Sequence, residues 1–276
     1  MSHAPMPERP DVRLVVVDMD GTLLDGDGQV PDGLWPLLDR MREAGVVFAP
    51  ASGRQYATLA AMFARAAEGM VFIAENGGYV VRDDEEVSAA TLPVSLVTDV
   101  VRRMRALADD GTDLGVVVCG RRTAYVERHD RAFLDHVDPY YASLTEVDDL
   151  LAVDDTAVKV AVFAFGDPTE RVEPALAPLR PDHQVVVSGA HWVDVMDAAV
   201  HKGVAVRRLQ ETLGVTAAQT AAFGDYLNDL EMLDEAELSF AMDNAHPDVL
   251  DRARHRAPAN TEDGVVRTVT ALLDRA

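Results

Sequence analysis

Along the chain, the first ordered pattern is Leu14-Val15-Val16-Val17, an unbroken aliphatic run too short for a helix. A continuous, β-branched run of this kind predicts a strand buried on both faces, as in a parallel sheet. Gly21, Gly26 and Gly28 then mark a turn region. From Pro31 the period changes: Leu34, Leu37, Leu38 and Met41 share one helical face, and Gly45 supplies the stop. Val46–Ala49 predicts the next strand, residues Gln55–Ala67 a helix, and Met70–Ala74 a third strand. The same alternation resumes late. Val206, Leu209 and Leu213 form a helical stripe closed by Gly214, Thr220–Phe223 and Leu238–Ala241 predict strands, and Val265, Val266, Val269 and Leu273 line a last helix. Strand and helix alternating with short joints predict an α/β fold with a parallel sheet and right-handed crossovers.

The middle of the chain, residues 84–190, has a different rhythm. A helix over 94–109 precedes two adjacent strands, Leu114–Val118 and Thr123–Val126, with Gly120-Arg121-Arg122 as the hairpin between them. A helix over 130–138, a strand Val158–Phe165, a helix over 169–177 and a strand Gln184–Val187 follow. Paired strands beside helices predict an α+β module inserted into the parallel-sheet domain.

Composition narrows the function. The chain has 276 residues, 48% hydrophobic and 26% charged, as expected of a globular protein with a real core. Its 25 basic residues against 47 acidic give a net charge of −22, which argues against nucleic acid as a partner. No apolar run reaches the length of a bilayer span and the N-terminus lacks an apolar leader, so a cytoplasmic location without membrane association is expected. Cys119 is the only cysteine, and its aliphatic setting predicts a buried strand residue. Lys159 and Lys202 are the only lysines, so the position of each matters.

The candidate chemistry sits at strand ends. The first strand runs into Asp18-Met19-Asp20-Gly21-Thr22-Leu23-Leu24, the second into Ser52-Gly53-Arg54 before a helix, and the strand at 220–223 into Gly224-Asp225-Tyr226-Leu227-Asn228-Asp229. Ligands of open α/β sheets bind beyond the carboxyl ends of the strands. The aspartates there are either a site or solvated loop residues, with Asn228 or Asp229 open to a capping role. Ser52 is either a helix cap or part of a phosphate cradle. Lys202, in His201-Lys202-Gly203, opens a helix, and that end of a helix dipole does not favour a cation. It is either incidental or aimed at an anion, while His201 fits a surface residue. Lys159, inside Ala157-Val158-Lys159-Val160-Ala161, is either an edge lysine or a cation on a half-buried face that meets substrate.

Taken in order, these segments resemble the haloacid dehalogenase-like hydrolases, specifically the Cof-type branch (subfamily IIB). Asp18-Met-Asp20-Gly-Thr-Leu-Leu is similar to the first motif, Ser52-Gly-Arg to the second, Lys202-Gly to the third and Gly224-Asp225-x-x-Asn228-Asp229 to the fourth. Glu75-Asn76-Gly77-Gly78, Ala241-Met-Asp-Asn244-Ala245 and Asn260-Thr-Glu-Asp-Gly264-Val resemble features of the branch. Met19 and Tyr226 depart mildly from its usual residues. The resemblance implies a Rossmann-like three-layer core (residues 1–83 and 191–276) with an inserted α/β cap (84–190). It implies a phosphatase acting on a small phosphorylated metabolite (a sugar phosphate, nucleotide or phosphorylated cofactor). Asp18 would be the nucleophile, Asp20 the general acid and base, and Lys202 the phosphate anchor. Ser52, Gly53, Arg54, Asn76, Asn228 and Lys159 would bind phosphate or substrate. Mg²⁺ would lie among Asp18, the Asp20 carbonyl and Asp225, with Asp229 behind them or reaching the ion through water. The same intermediate would also serve a sugar phosphomutase, and the same fold a non-catalytic phospho-ligand-binding protein.

Overall fold

A computed structural model describes residues 10–275. In chain order the strands are β1 (Leu14–Asp18), β2 (Val47–Ala51), β3 (Val71–Ala74), β4 (Tyr79–Arg82), β5 (Glu85–Ala89), β6 (Leu114–Gly120), β7 (Ala124–Val126), β8 (Leu144–Glu146), β9 (Ala157–Ala164), β10 (His183–Gly189), β11 (Trp192–Asp197), β12 (Thr220–Gly224), β13 (Leu238–Met242) and β14 (His255–Ala257). The α-helices are α1 (Leu34–Glu43), α2 (Tyr56–Met62), α3 (Val94–Asp109), α4 (Arg131–Val137), α5 (Val172–Leu176), α6 (Lys202–Leu213), α7 (Leu230–Asp234), α8 (Pro247–Arg252) and α9 (Gly264–Leu273). They form two compact units, one of the residues up to Ser88 together with those from His201, the other of Ala89–Val200.

The first unit holds an eight-stranded sheet in the order β14-β13-β12-β1-β2-β3-β4-β5. β1 lies at its centre, parallel to β12 on one side and β2 on the other. Leu14 to Val17 are each 0% exposed, so both faces of β1 are covered by helices, as the unbroken aliphatic run requires. Each such side chain stabilises the fold by about 1.5–3 kcal/mol. α1 contributes Leu34, Leu37, Leu38 and Met41, and packs beside α9, while α6 packs beside α7. The chain runs from β1 towards β2 and β3 on one side and returns to β12, β13 and β14 on the other. That reversal opens a crevice at the carboxyl ends of β1 and β12. Val17 is level with Phe223 and Asp18 with Ala51, so Asp18, Ser52 and Asp225 all emerge at one rim.

The second unit is a six-stranded sheet in the order β10-β11-β9-β6-β7-β8. α3 and α5 cover one face, where Leu96, Val100, Met104, Val172 and Leu176 pack on Val160 and Val162. α4 places Phe133, Leu134 and Val137 on the other, against Ala161 and Phe163. The β6–β7 hairpin forms as expected, and Cys119 is buried in β6.

Three expectations change. The middle unit spans Ala89–Val200 rather than 84–190, because β11 pairs antiparallel with both β9 and β10 and keeps the chain in this sheet beyond residue 191. Asp194, in the middle of β11, interrupts the apolar pattern that would have announced the strand. α2 stops at Met62 instead of continuing to Ala67. Finally, β9 is an interior strand, so Lys159 is neither an edge residue nor half-buried. It is 6% exposed, 3.9 Å from the Asp194 carboxylate and 5.9 Å from the centre of the Tyr141 ring. No helix among the described residues is long and apolar enough to cross a membrane.

Candidate active site

Asp18 is the last residue of β1 and is 7% exposed. The chain then turns sharply through Met19–Leu23, with Gly21 at φ +81°. Only glycine fits there on two counts. The backbone is left-handed, and a Cβ on Gly21 would lie 2.4 Å from Asp225 Oδ2. Thr22 Oγ1 donates to Asp225 Oδ1 at 2.8 Å, which locks the turn after β1 to the loop after β12.

Lys202, the first residue of α6, is fully buried beneath these loops. Its ammonium donates to Asp18 Oδ1 and, at 2.7 Å, to Asp229 Oδ1. The question raised by a lysine at the wrong end of a helix dipole is thereby answered: two carboxylates hold it. His201 caps the same helix, its Nδ1 accepting from Val204 N–H at 3.3 Å, a role its surface assignment missed. Gly77 and Gly203 allow this close packing, since a Cβ on either would lie within 2.7 Å of a main-chain oxygen, of His201 and Glu231 respectively.

Asp229 is 0% exposed and both its oxygens are used. Oδ1 accepts from Lys202, and Oδ2 accepts from the N–H groups of Asp225 (3.0 Å) and Tyr226 (3.1 Å). It thus folds the loop after β12 and anchors the lysine. Tyr226 itself points to solvent, 58% exposed.

One carboxylate oxygen each from Asp18, Asp225 and Asp229 lies within 4.8 Å of the other two. Like charges about 4 Å apart repel by roughly 4 kcal/mol at an effective dielectric near 20. Burial pushes the Asp18 carboxyl up to about 8; Lys202 pulls it down, while Asp229 and Asp225 raise it further. Burial also raises Asp225, against the hydrogen bond from Thr22. Burial alone would lower the Lys202 ammonium, but the charges of Asp18 and Asp229 outweigh it and hold it above its ordinary value. Three carboxylates face one ammonium, so the fully ionised cluster has a deficit of two positive charges. An all-oxygen donor set with that deficit fits a hard divalent cation.

Around this centre the other expected residues gather. Asp20, exposed at the rim, accepts from Arg54 at both oxygens, 2.6 Å from Nη2 and 3.1 Å from Nε. Arg54, expected to meet phosphate, is therefore bonded to Asp20. Ser52 is 3% exposed and its Oγ accepts from Arg54 N–H at 3.2 Å. Gly53 lets Asn76 approach, a Cβ there lying 3.0 Å from Nδ2. Asn76, left-handed at φ +54°, accepts at Oδ1 from Asn228 Nδ2 at 3.2 Å. Of the expected site residues only Lys159 belongs to the other unit. Thr22, Asn244 and Asn260 bond to this cluster or its loops without having been singled out for a role.

Residues 15–269 match the model of a family described as haloacid dehalogenase-like hydrolase. This chain belongs to that family. Its enzyme class is that of the family's phosphatases. Among its relatives is the 5-amino-6-(5-phospho-D-ribitylamino)uracil phosphatase of Escherichia coli (strain K12), 31% identical over 95% of this chain and 96% of that protein. A phosphatase of the same name from Bacillus subtilis (strain 168) is 24% identical over 92% of this chain and 95% of that one. The solved structure of a haloacid dehalogenase subclass IIB sugar phosphatase shares the fold with a TM-score of 0.74, covering 94% of this chain and 98% of that one at 19% identity.

Proposed function

We propose that this haloacid dehalogenase-like hydrolase is a Mg²⁺-dependent phosphomonoesterase working through an aspartyl phosphate on Asp18. The observation that carries the reading is the buried Asp18 carboxylate, grouped with Asp225 and Asp229 and bonded to a buried lysine. With only Lys202 to oppose burial, Asp18 sits near 8, so further positive charge is what makes it a carboxylate at neutral pH. Asp18, the Asp20 carbonyl and Asp225 would hold Mg²⁺, with Asp229 bracing them, since both its oxygens are already engaged. Bound there, Mg²⁺ supplies the charge that offsets the carboxylates and the phosphoryl group.

The chain's own residues do the rest. An oxygen of Asp18 attacks phosphorus as the bond to the leaving oxygen breaks. Asp20 gives its proton to that oxygen. A water, deprotonated by Asp20, then attacks phosphorus, and the bond to Asp18 breaks to release inorganic phosphate. Lys202 and Ser52 steady the phosphoryl oxygens, with Gly53 giving backbone access and Asn228 and Asn76 positioned beside the leaving group. Arg54 exchanges Asp20 for substrate in this reading. Phosphoryl transfer depends chiefly on such positioning and charge balance.

For the substrate we infer a small metabolite with a primary phosphate on a polyhydroxylated chain, following the relatives named for a phosphoribitylamino-uracil. Selectivity beyond the phosphoryl group is assigned to residues 89–200, with Lys159 the first residue to vary. The test is hydrolysis of p-nitrophenyl phosphate and of a panel of phosphorylated metabolites after chelation with EDTA, then with Mg²⁺ returned. Loss and recovery are expected; full turnover by thoroughly metal-stripped protein would refute the mechanism.

A further inference from the structure

Asn244 follows β13 and is exposed, yet both ends of its amide are committed to main chain. Its Nδ2 donates to the Gly21 carbonyl at 2.7 Å, and its Oδ1 accepts from Asn260 N–H at 3.1 Å. Asn260 in turn donates from Nδ2 to the Leu24 carbonyl at 2.7 Å. The two asparagines therefore grip the turn after β1 at two carbonyls, those of Gly21 and Leu24, on either side of Thr22 and Leu23. Within the turn, Leu24 N–H donates to Met19 O at 2.9 Å. Two residues on from Asn244, His246 N–H donates to the Asp225 carbonyl at 2.8 Å. One short segment, 244–246, thus ties together the loop that carries Asp20 and the loop that carries Asp225.

A solvated asparagine would spend its amide on water. Spending it instead on the Gly21 carbonyl and the Asn260 N–H makes sense where a loop must be placed to within a fraction of an ångström. The residue with that demand is Asp20, whose carboxylate is 64% exposed and, among the described residues, is held only by Arg54, the residue proposed to leave it for substrate. We propose that Asn244, seconded by Asn260, is a positioning residue that aims the Asp20 carboxyl at the leaving-group oxygen. This rests on the reading of Asp20 as general acid. Misplacement by about 1 Å can cost up to ~100-fold in rate. The loss falls on the proton-transfer step, so it grows as the leaving group becomes a poorer one.

The experiment measures kcat/KM with Mg²⁺ for p-nitrophenyl, p-chlorophenyl and phenyl phosphate, ring-matched esters whose leaving groups differ in acidity. The variants are Asn244→Ala, Asn260→Ala and Asp20→Asn, with thermal melts alongside. The p-nitrophenolate needs no proton; phenolate leaves better with one. Asp20→Asn is expected to lose more with phenyl than with p-nitrophenyl phosphate. Asn244→Ala is expected to do the same more weakly, roughly ten-fold with phenyl phosphate (about 1.4 kcal/mol of barrier) and under about two-fold with p-nitrophenyl, at near-unchanged melting temperature. Asn260→Ala should show the same slope, smaller. Equal losses across the three esters in Asn244→Ala, or none, with Asp20→Asn still discriminating, would overturn this inference and leave the mechanism standing. No discrimination in Asp20→Asn would remove the acid role and the inference with it.

Discussion

In the metal-free protein, replacing the nucleophile should abolish a loss of stability that grows with pH. Asp18 has a folded pKa near 8, raised from 3.8 chiefly by burial. A carboxyl raised in this way contributes stability that is fully present below about pH 4 and is lost as pH rises through 8, because folding then forces a charge into a buried site. The slope is about 1.36 kcal/mol per pH unit well below the folded pKa and flattens near it, so between pH 6 and 8 the loss is about 2 kcal/mol. Asp18→Asn removes the titration but keeps the shape. For a unit of this size that corresponds to a melting temperature about 4–8 °C higher for the variant at pH 8 than at pH 6, relative to wild type. The assay is thermal unfolding of both proteins in EDTA across pH 5–8.5, by circular dichroism. Adding Mg²⁺ at pH 8 should raise the melting temperature of the wild type more than that of the variant, since only the wild type offers the Asp18 carboxylate beside Asp225 and a ligand stabilises the state that binds it. Parallel pH profiles for the two proteins in EDTA would show that Asp18 is ionised in the fold without help, and the charge-deficit reasoning would fail.

Gly21→Ala should lower stability by more than about 1 kcal/mol, from the left-handed backbone alone, and should also displace Asp225, so that kcat/KM falls with it; an active variant melting within a degree of wild type would contradict the close approach at Gly21. In residues 89–200, Lys159→Met leaves the Asp194 carboxyl buried without its partner at 3.9 Å, and should destabilise by roughly 3–5 kcal/mol, whereas Lys159→Met with Asp194→Leu should recover most of it. Denaturant melts of the two singles and the double form the cycle, and additive losses would mean the pair is not coupled. If Lys159 also meets substrate, KM for a phosphorylated metabolite rises in Lys159→Met while that for p-nitrophenyl phosphate does not.

Much of the core was legible because buried parallel strands have no choice of composition. Leu14–Val17 could only be a strand covered on both faces, and an aspartate that ends such a strand must emerge at the sheet's rim. Local order therefore placed Asp18, Ser52, Lys202 and Asp225 at strand-to-helix junctions. The strands that escaped notice are short or carry charge, like β11 with Asp194 at its centre, and are held by partners distant in sequence rather than by their own pattern. The same holds for side chains. Sequence offered Lys202 as a cation with no local reason to open a helix; only the fold, by bringing residues 184 and 27 positions away to its ammonium, made it the counter-charge of Asp18 and Asp229. Arg54 on Asp20 and Asn244 reaching Gly21 are likewise long-range bonds. Chemistry at a strand end follows from the order of residues, but which group neutralises, braces or aims another depends on distances across the sheet. No local pattern encodes those.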